Sequence, residues 1–199
     1  MNSKCDRNPV LLVHGIFRKS GVFRQMSAYL TERGWSVCTL NLAPNWGNTG
    51  IDELALQIAD FAEKTFTPGQ PIDIVGLSMG GLVTRYYLQR LGGINRVQRF
   101  IAISAPHSGT WTACTLWGKG CVQMRPGSAF LEDLNRDSDL LEKLNFTSIW
   151  TPWDFIIVPA SSSRIPAAKE VKLSVFAHAM MARHSSSLKA VAEALSEPI

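Results

Sequence analysis

Residues that build metal centres and disulfide scaffolds are few in this chain of 199 residues. It has four cysteines and four histidines, with no CxxC pair and no cluster that combines the two residue types. A zinc site is therefore not expected. Free thiols are the default for such a chain in a reducing compartment, although Cys114 and Cys121 are close enough in sequence to close a small loop under oxidation.

Long apolar runs and a strong excess of one charge are also missing. No run approaches the roughly 18–20 residues that a membrane span needs, and the N-terminal MNSKCD has no apolar stretch of the signal-peptide type. Lys and Arg (20) exceed Asp and Glu (16) by 4, and the basic residues are scattered, which gives little support for nucleic-acid binding. We expect a cytoplasmic protein with no transmembrane segment, and a weak contact with an anionic lipid interface stays open.

The chain does contain enough apolar sequence for one core. Hydrophobic residues make up 46% and charged residues 18%, which is typical of a single globular domain, here predicted over 1–199. Short β-rich runs alternate with helical patterns, which predicts the α/β class with a mostly parallel six-stranded sheet and helices on both faces. Strands are predicted at 7–13, 36–42, 71–77, 97–104, 147–151 and 171–176, and helices at 23–33, 51–64, 79–91, 128–145 and 186–195.

The segment 106–146 interrupts this alternation. It contains Trp111, Trp117 and several glycines, followed by the helical pattern at 128–145. A connection of this length is either a cap or lid over a functional site or an ordinary part of the core. The sequence supports the two interpretations about equally.

The strongest motif is Gly76-Leu77-Ser78-Met79-Gly80, which matches G-x-S-x-G and lies between a predicted strand and a predicted helix. Such a serine occupies a sharp, strained turn, where the glycines let two backbones approach each other. The start of the following helix adds a positive dipole. This context favours a nucleophilic serine; a glycine-rich turn with a surface serine is the alternative.

A nucleophilic serine needs a base that accepts its proton. In hydrolases with this motif the acid and then the histidine follow the serine along the chain, which disfavours His14. His178 follows a predicted strand and precedes the last helix, so it would lie at the carboxyl edge of the sheet, where ligands bind. His178 is the candidate base, and His184 and His107 are weaker alternatives.

An acid must hold that imidazole in its reactive tautomer. Asp154 follows the predicted fifth strand, and its apolar neighbours Trp153 and Phe155 indicate partial burial, where a charge pair counts for more. Asp154 is therefore the predicted acid. Its rivals belong to the polar face of a helical pattern, where solvated charges are the norm: Asp133, Asp137 and Asp139.

Two backbone amides are expected to stabilise the oxyanion of the transition state. One belongs to Ile16, on the loop after the first strand, and the other to Met79, the residue after the nucleophile. His14 is interpreted as a structural residue. Large apolar side chains near predicted strand ends would line a pocket for an acyl chain, unless several are ordinary core residues: Phe17, Leu82, Trp111 and Trp153.

Three segments resemble small bacterial lipases of the α/β-hydrolase fold: RNPVLLVHGI at 7–16, SMGG and TRYYL within 78–88, and His178 with VAEAL at 191–195. The resemblance covers most of the chain. It implies a compact hydrolase that needs no cofactor, with Ser78, Asp154 and His178 as the triad and Ile16 and Met79 as oxyanion donors. The stretch 104–110 instead resembles larger lipases and acyl-ester hydrolases that act on lipids.

The predicted function is hydrolysis of carboxylic esters, of lipids in particular, through an acyl-enzyme on Ser78. The expected partner is a small-molecule or lipid ester. Two alternatives stay open. The same triad could serve an acyltransferase or a thioesterase, and a non-catalytic binding module on a hydrolase scaffold is less well supported because nucleophile, base, acid and oxyanion loop are all present.

Overall fold

A parallel sheet forms the centre of the computed structural model, which describes residues 7–199. Its strands are β1 Val10–Val13, β2 Val37–Leu40, β3 Ile72–Leu77, β4 Val97–Ile103, β5 Asn145–Trp150 and β6 Lys169–Lys172. They lie in the order β2-β1-β3-β4-β5-β6, and every neighbouring pair is parallel. The predicted α/β class with a six-stranded sheet is confirmed.

Helices cover both faces of this sheet. They are α1 Arg24–Thr31, α2 Ile51–Thr65, α3 Met79–Arg90, α4 Lys119–Gln123, α5 Ala129–Arg136 and α6 Ser185–Leu195. Side chains of β1 alternate between two buried clusters: Leu11 and Val13 share one with α2 and α3, whereas Val10 and Leu12 share the other with α1 and α6. Because both faces are covered, β1 is a continuous apolar run rather than an alternating one.

The helix predicted at 128–145 is wrong in its second half. α5 ends at Arg136, because Asp137 leaves the helical region with φ −121° and ψ 34°. The Arg90 guanidinium of α3 donates to the Asp137 carboxylate at 2.6 Å. A 3-10 helix follows at Ser138–Lys143, and β5 begins two residues later. The ion pair to α3 therefore overrides the helical periodicity of the local sequence.

The last strand lies earlier than predicted, at 169–172 rather than 171–176. It is an edge strand that pairs only with β5, and Trp150, the last residue of β5, is opposite Lys172. In the described part of the chain, no strand pair continues this ladder beyond Trp150 and Lys172. The chain therefore leaves the sheet early and runs on toward His178.

The segment 106–146 packs on the core through Ala113, Cys121 and Leu131, which are buried. Its interpretation as a lid stays a prediction. Cys121 and the exposed Cys114 are free thiols, so the small loop considered above is not closed.

Residues 1–6, which carried the expectation that a signal peptide is absent, lie outside the described residues. Within 7–199, none of the helices has both the length and the apolar character needed to cross a bilayer.

Candidate active site

Ser78 lies on the turn between β3 and α3. Its φ of 56° and ψ of −126° belong to a region that residues with side chains rarely adopt. Backbone hydrogen bonds fix this turn: the Ser78 amide donates to the Ile103 carbonyl at 2.8 Å, and the Gly81 amide donates to the Ser78 carbonyl at 2.9 Å. The strain is thus held in place by β4 and by the first turn of α3.

The glycines of the motif are required by close backbone packing. A Cβ atom on Gly80 would lie 2.3 Å from the Val13 carbonyl oxygen, and one on Gly76 would lie 2.7 Å from the Cα atom of Gly81. Gly15, on the loop after β1, is restricted in the same way, since its Cβ atom would lie 2.9 Å from the Cβ atom of Ser78. The absence of side chains lets β1, β3 and α3 converge at the serine.

Asp154 and His178 form a hydrogen-bonded pair beyond the ends of β5 and β6. Nδ1 of His178 lies 2.7 Å from Oδ2 of Asp154. The amides of Ile156 and Ile157 donate to Oδ1 of Asp154 at 3.0 and 2.9 Å. The Asp154 side chain is 2% exposed, so solvent screens its charge only weakly. Since both oxygens are bound, the carboxylate has a fixed orientation.

These contacts determine the charge of the carboxylate. Burial, the largest influence, works to raise the pKa of Asp154, but the hydrogen bond and charge of His178, with the Ile157 and Ile156 amides, outweigh it and hold the pKa below its ordinary value. An ionised carboxylate can only accept, so Nδ1 of the imidazole carries the hydrogen of this bond. In the neutral imidazole, Nε2 is then free to accept a proton.

Two residues that sequence reasoning missed connect the loops of the acid and the histidine. The buried Thr151 hydroxyl donates to the Val175 carbonyl at 2.7 Å. Ala177, directly before His178, has a φ of 71°, and its amide donates to the Trp153 carbonyl at 3.3 Å. No sequence signal could have found them, because a threonine at a strand end and an alanine with positive φ match no motif.

The amides predicted to bind an oxyanion belong to Ile16 and Met79. Met79 is the first residue of α3, so its N–H has no partner within the helix. The amide of Phe17 donates to the Asn45 carbonyl at 3.1 Å. Among backbone hydrogen bonds within residues 7–199, neither the Ile16 nor the Met79 amide is a donor to a carbonyl. Their role as oxyanion donors stays a prediction.

Two of the other histidines have structural contacts. His14 is buried; its Nε2 accepts from the Leu42 amide at 3.0 Å, and its Nδ1 lies 2.9 Å from the Gly15 carbonyl. Burial lowers the pKa of His14, although the Gly15 bond opposes this shift. His184 precedes α6 and its Nδ1 accepts from the Ser186 amide at 3.3 Å, so it is a helix cap.

His107 lies deep in the core, and neither of its ring nitrogens has a hydrogen-bond partner in the described part of the chain. Burial, assisted by the charge of Arg85, holds the pKa of His107 well below its ordinary value, so the ring is neutral. The three rival acids lie on or just after α5. Asp133 and Asp137 both bind Arg90, and Asp139 is exposed.

A cavity of about 1070 Å³ lies beside Ser78 and His178, and Ile16 and Phe17 are in its wall. Three residues predicted to line the pocket are not among the lining residues of this cavity, and their role as substrate contacts stays a prediction. Leu82, a residue of α3, is fully buried in the core, and the exposed Trp111 and Trp153 do not belong to the cavity wall. α3 is buried on nearly all sides, so its sequence does not distinguish residues that face the core from residues that face a ligand.

The structure brings Ser78 and His178 to one cavity without joining them directly. Among the hydrogen bonds of residues 7–199, none links the Ser78 hydroxyl to the imidazole. A direct bond between these two groups therefore stays a prediction. In the same part of the chain, no three His, Cys, Asp or Glu side chains converge as metal ligands.

The parallel strand order, the strained serine after β3 and the cavity at the sheet edge define the molecule as an α/β-hydrolase. Mature lipase BlEst2 of Bacillus licheniformis superposes with a TM-score of 0.80 at 14% identity, over 97% of this chain and 94% of that one. Aspergillus fumigatus lipase B gives a TM-score of 0.83 at 20% identity, over 96% of this chain and 53% of that one. At such identities the likeness concerns the fold.

Within this class, the chain belongs to the palmitoyl protein thioesterase family, whose model matches residues 9–153. Lysosomal thioesterase PPT2 of Homo sapiens is 32% identical over 114 residues, which are 54% of this chain and 37% of the human protein. The match thus spans little more than a third of that relative. The family match includes Ser78 and ends one residue before Asp154. Because the human relative is named as lysosomal, the cytoplasmic location expected for this chain stays a prediction.

Proposed function

We propose that the protein is a serine hydrolase that cleaves acyl thioesters and carboxylic esters through an acyl-enzyme on Ser78. One observation carries the proposal. The strained Ser78 turn and His178 line the same cavity, and Nδ1 of that imidazole lies 2.7 Å from Oδ2 of the buried, ionised Asp154. Nucleophile, base and orienting acid are the three roles that acyl transfer through a serine requires.

The first half-reaction transfers the acyl group to the protein. His178 Nε2 takes the proton of the Ser78 hydroxyl while Oγ attacks the carbonyl carbon. The amides of Ile16 and Met79 donate to the oxyanion, and Asp154 stabilises the imidazolium that forms. His178 then gives its proton to the departing sulfur or oxygen, and the bond from the carbonyl carbon to that atom breaks.

The second half-reaction returns the serine. Water enters the site, His178 removes one of its protons, and the hydroxide equivalent attacks the acyl-serine carbonyl. The tetrahedral intermediate collapses, the carboxylic acid leaves, and the proton returns from His178 to Ser78 Oγ. No redox partner and no metal takes part in these steps.

Thioesters are the substrate class that the family favours. A thiol has a pKa near 8.5, so a thiolate leaves with less help from His178 than an alkoxide needs. The apolar part of the cavity wall, formed by Ile16, Phe17, Val22, Leu77 and Ile156, suits an acyl chain, since each buried CH₂ contributes about 0.8 kcal/mol of binding.

A fluorophosphonate probe and matched substrates test this function. We expect the probe to label the protein once, with the adduct on the peptide that contains Ser78. Octanoyl esters of a neutral thiol and of a neutral alcohol should both be hydrolysed, and the chain-length profile from C2 to C16 should rise with each added CH₂. A folded protein that is neither labelled nor active would be a binding module, and acyl transfer to an added alcohol or amine in place of water would make it an acyltransferase.

A further inference from the structure

The cavity wall is strongly basic on its polar side. Arg18, Lys19, Arg24 and Arg183 line it together with Ser78, and among residues 7–199 no Asp or Glu belongs to its wall. The sequence around them explains this imbalance: within 7–51 the single acid is Glu32, and 171–192 contain none. The fold thus brings Arg183 to the same opening as three cations of the segment 18–24.

Within the described part of the chain, these four cations have no acidic partner, unlike most of the other basic side chains. Arg90, Arg99 and Lys119, for example, each bind carboxylates in ion pairs. Within residues 7–199 no ion pair includes any of the four cavity cations. Arg183 binds the Met180 sulfur at 3.2 and 3.1 Å, and a thioether is a weak acceptor that leaves the charge uncompensated.

The chemistry of the proposed reaction identifies which half of a substrate meets these cations. The leaving atom must lie within hydrogen-bond reach of His178 for its protonation. The thiol or alcohol half therefore extends along the wall that contains His178, Ala179 and Arg183. The remaining cations come from the loop after β1 and from the start of α1, which line the same space.

We propose that Arg18, Lys19, Arg24 and Arg183 form a subsite for a phosphate carried by the thiol or alcohol half of the substrate. The inference rests on the proposed hydrolysis at Ser78 for its orientation. Guanidinium groups bind phosphate through paired, charge-assisted hydrogen bonds, and lysine adds a point charge. The phosphate takes no part in bond breaking: the acyl–sulfur or acyl–oxygen bond is cleaved, and the phosphorylated thiol or alcohol departs with the proton from His178.

Two pairs of monomeric substrates test the subsite. Octanoyl coenzyme A is compared with the octanoyl thioester of N-acetylcysteamine, which has the same acyl chain and no phosphate. Octanoyl glycerol phosphate is compared with octanoyl glycerol. We expect the phosphorylated member of at least one pair to have a kcat/KM about ten-fold or more above its neutral counterpart, and which pair shows the preference distinguishes a phosphorylated thiol from a phosphorylated alcohol.

Variants connect the preference to the four cations. In the double variant R24Q/R183Q the ratio of kcat/KM between phosphorylated and neutral substrates should fall by about ten-fold or more. In K143Q, which changes an exposed cation outside the cavity wall, the ratio should stay that of the parent protein. Raising the salt concentration should reduce the preference of the parent protein for the phosphorylated substrate. In the double variant the preference should change little with salt.

The outcomes separate this inference from the function on which it rests. Hydrolysis of the neutral substrates without any preference in either pair would overturn the subsite and leave the hydrolase intact. A preference that appears only with anionic vesicles would assign the cations to a membrane surface and also overturn it. If no substrate is hydrolysed, calorimetric titration with coenzyme A and with glycerol phosphate decides: binding of either that weakens in R24Q/R183Q supports the subsite, and binding of neither ends it.

Discussion

The Ser78 turn and the Asp154–His178 pair meet at one cavity, but different forces hold them there. The turn is fixed by close backbone packing, with Gly80 against the Val13 carbonyl and Gly15 against Ser78 itself. The pair is fixed by hydrogen bonds that Asp154 accepts from the Ile156 and Ile157 amides and from Nδ1 of the His178 imidazole.

This difference determines what a substitution would do at each place. Close packing tolerates no added atom, so changes at the glycines should lower stability. A hydrogen-bonded pair can keep its shape when one group is exchanged for an isostere, so changes there should lower turnover while the fold survives. Substitutions in the two regions test this division, and the largest effect is expected at Ser78.

Ser78→Ala should lower ester and thioester hydrolysis by a factor on the order of 10³–10⁶, because no other group can form the acyl-enzyme. Stability should change little, since alanine is smaller than serine and keeps the same turn. Initial rates with an octanoyl thioester and thermal unfolding measure both effects. Ser161→Ala, at an exposed serine outside the cavity wall, serves as the matched control, and equal activity of the two variants would refute the role of Ser78.

Asp154→Asn should reduce turnover by roughly 10⁴ with the fold intact. The amide would still accept from the Ile156 and Ile157 amides, but its NH₂ group would donate to Nδ1 and leave the proton on Nε2, which is the wrong tautomer for accepting the serine proton. Steady-state kcat and a urea unfolding curve measure the two quantities. Asp139→Asn, at an exposed acid, should behave as the parent protein; if it were the damaging change, the acid would have been misassigned.

These two regions also differ in how well the sequence predicts them. In the five residues 76–80, glycines two positions before and two after Ser78 allow the close backbone approach that the turn needs. The turn was therefore predictable from a local pattern. Asp154 and His178 were predictable as residues that follow strands, since parallel strands end at one edge. The contacts that orient them were not: the hydroxyl of Thr151 and the positive φ of Ala177 depend on where two loops meet.

The pocket was the least predictable part of the site, for the same reason. Leu82 and Trp111 are apolar and close in sequence to strand ends, yet one lies in the core and the other outside the cavity. Arg18 and Arg24, which do line it, come from one short segment and Arg183 from a distant one, and none of the three belongs to a motif. A surface assembled from distant segments leaves no periodic signal, so only the fold reveals its charge.

Gly80→Ala tests the packing side of the comparison. Its Cβ atom would lie 2.3 Å from the Val13 carbonyl oxygen, so the backbone of β1 or α3 must shift, and we expect a loss of about 1–3 kcal/mol or more in the free energy of unfolding. Urea denaturation measures the loss. Gly21→Ala is the matched control, because a Cβ atom there meets nothing within 4 Å. Similar stability of the two variants would show that the turn is not held by close packing.

Thr151→Val tests the hydrogen-bonded side, with the smallest expected effect on rate. The change removes a buried hydroxyl and leaves the Val175 carbonyl without its 2.7 Å donor, which should cost about 1–3 kcal/mol of stability. Since the loop carrying His178 then loses a fixed point, we expect kcat to fall roughly ten-fold with KM nearly unchanged. Thr151→Ser keeps the hydroxyl and should restore kcat, whereas Thr115→Val, at an exposed threonine, should alter neither quantity. A Thr151→Val protein that is less stable but fully active would show that the bond supports the fold without positioning the histidine.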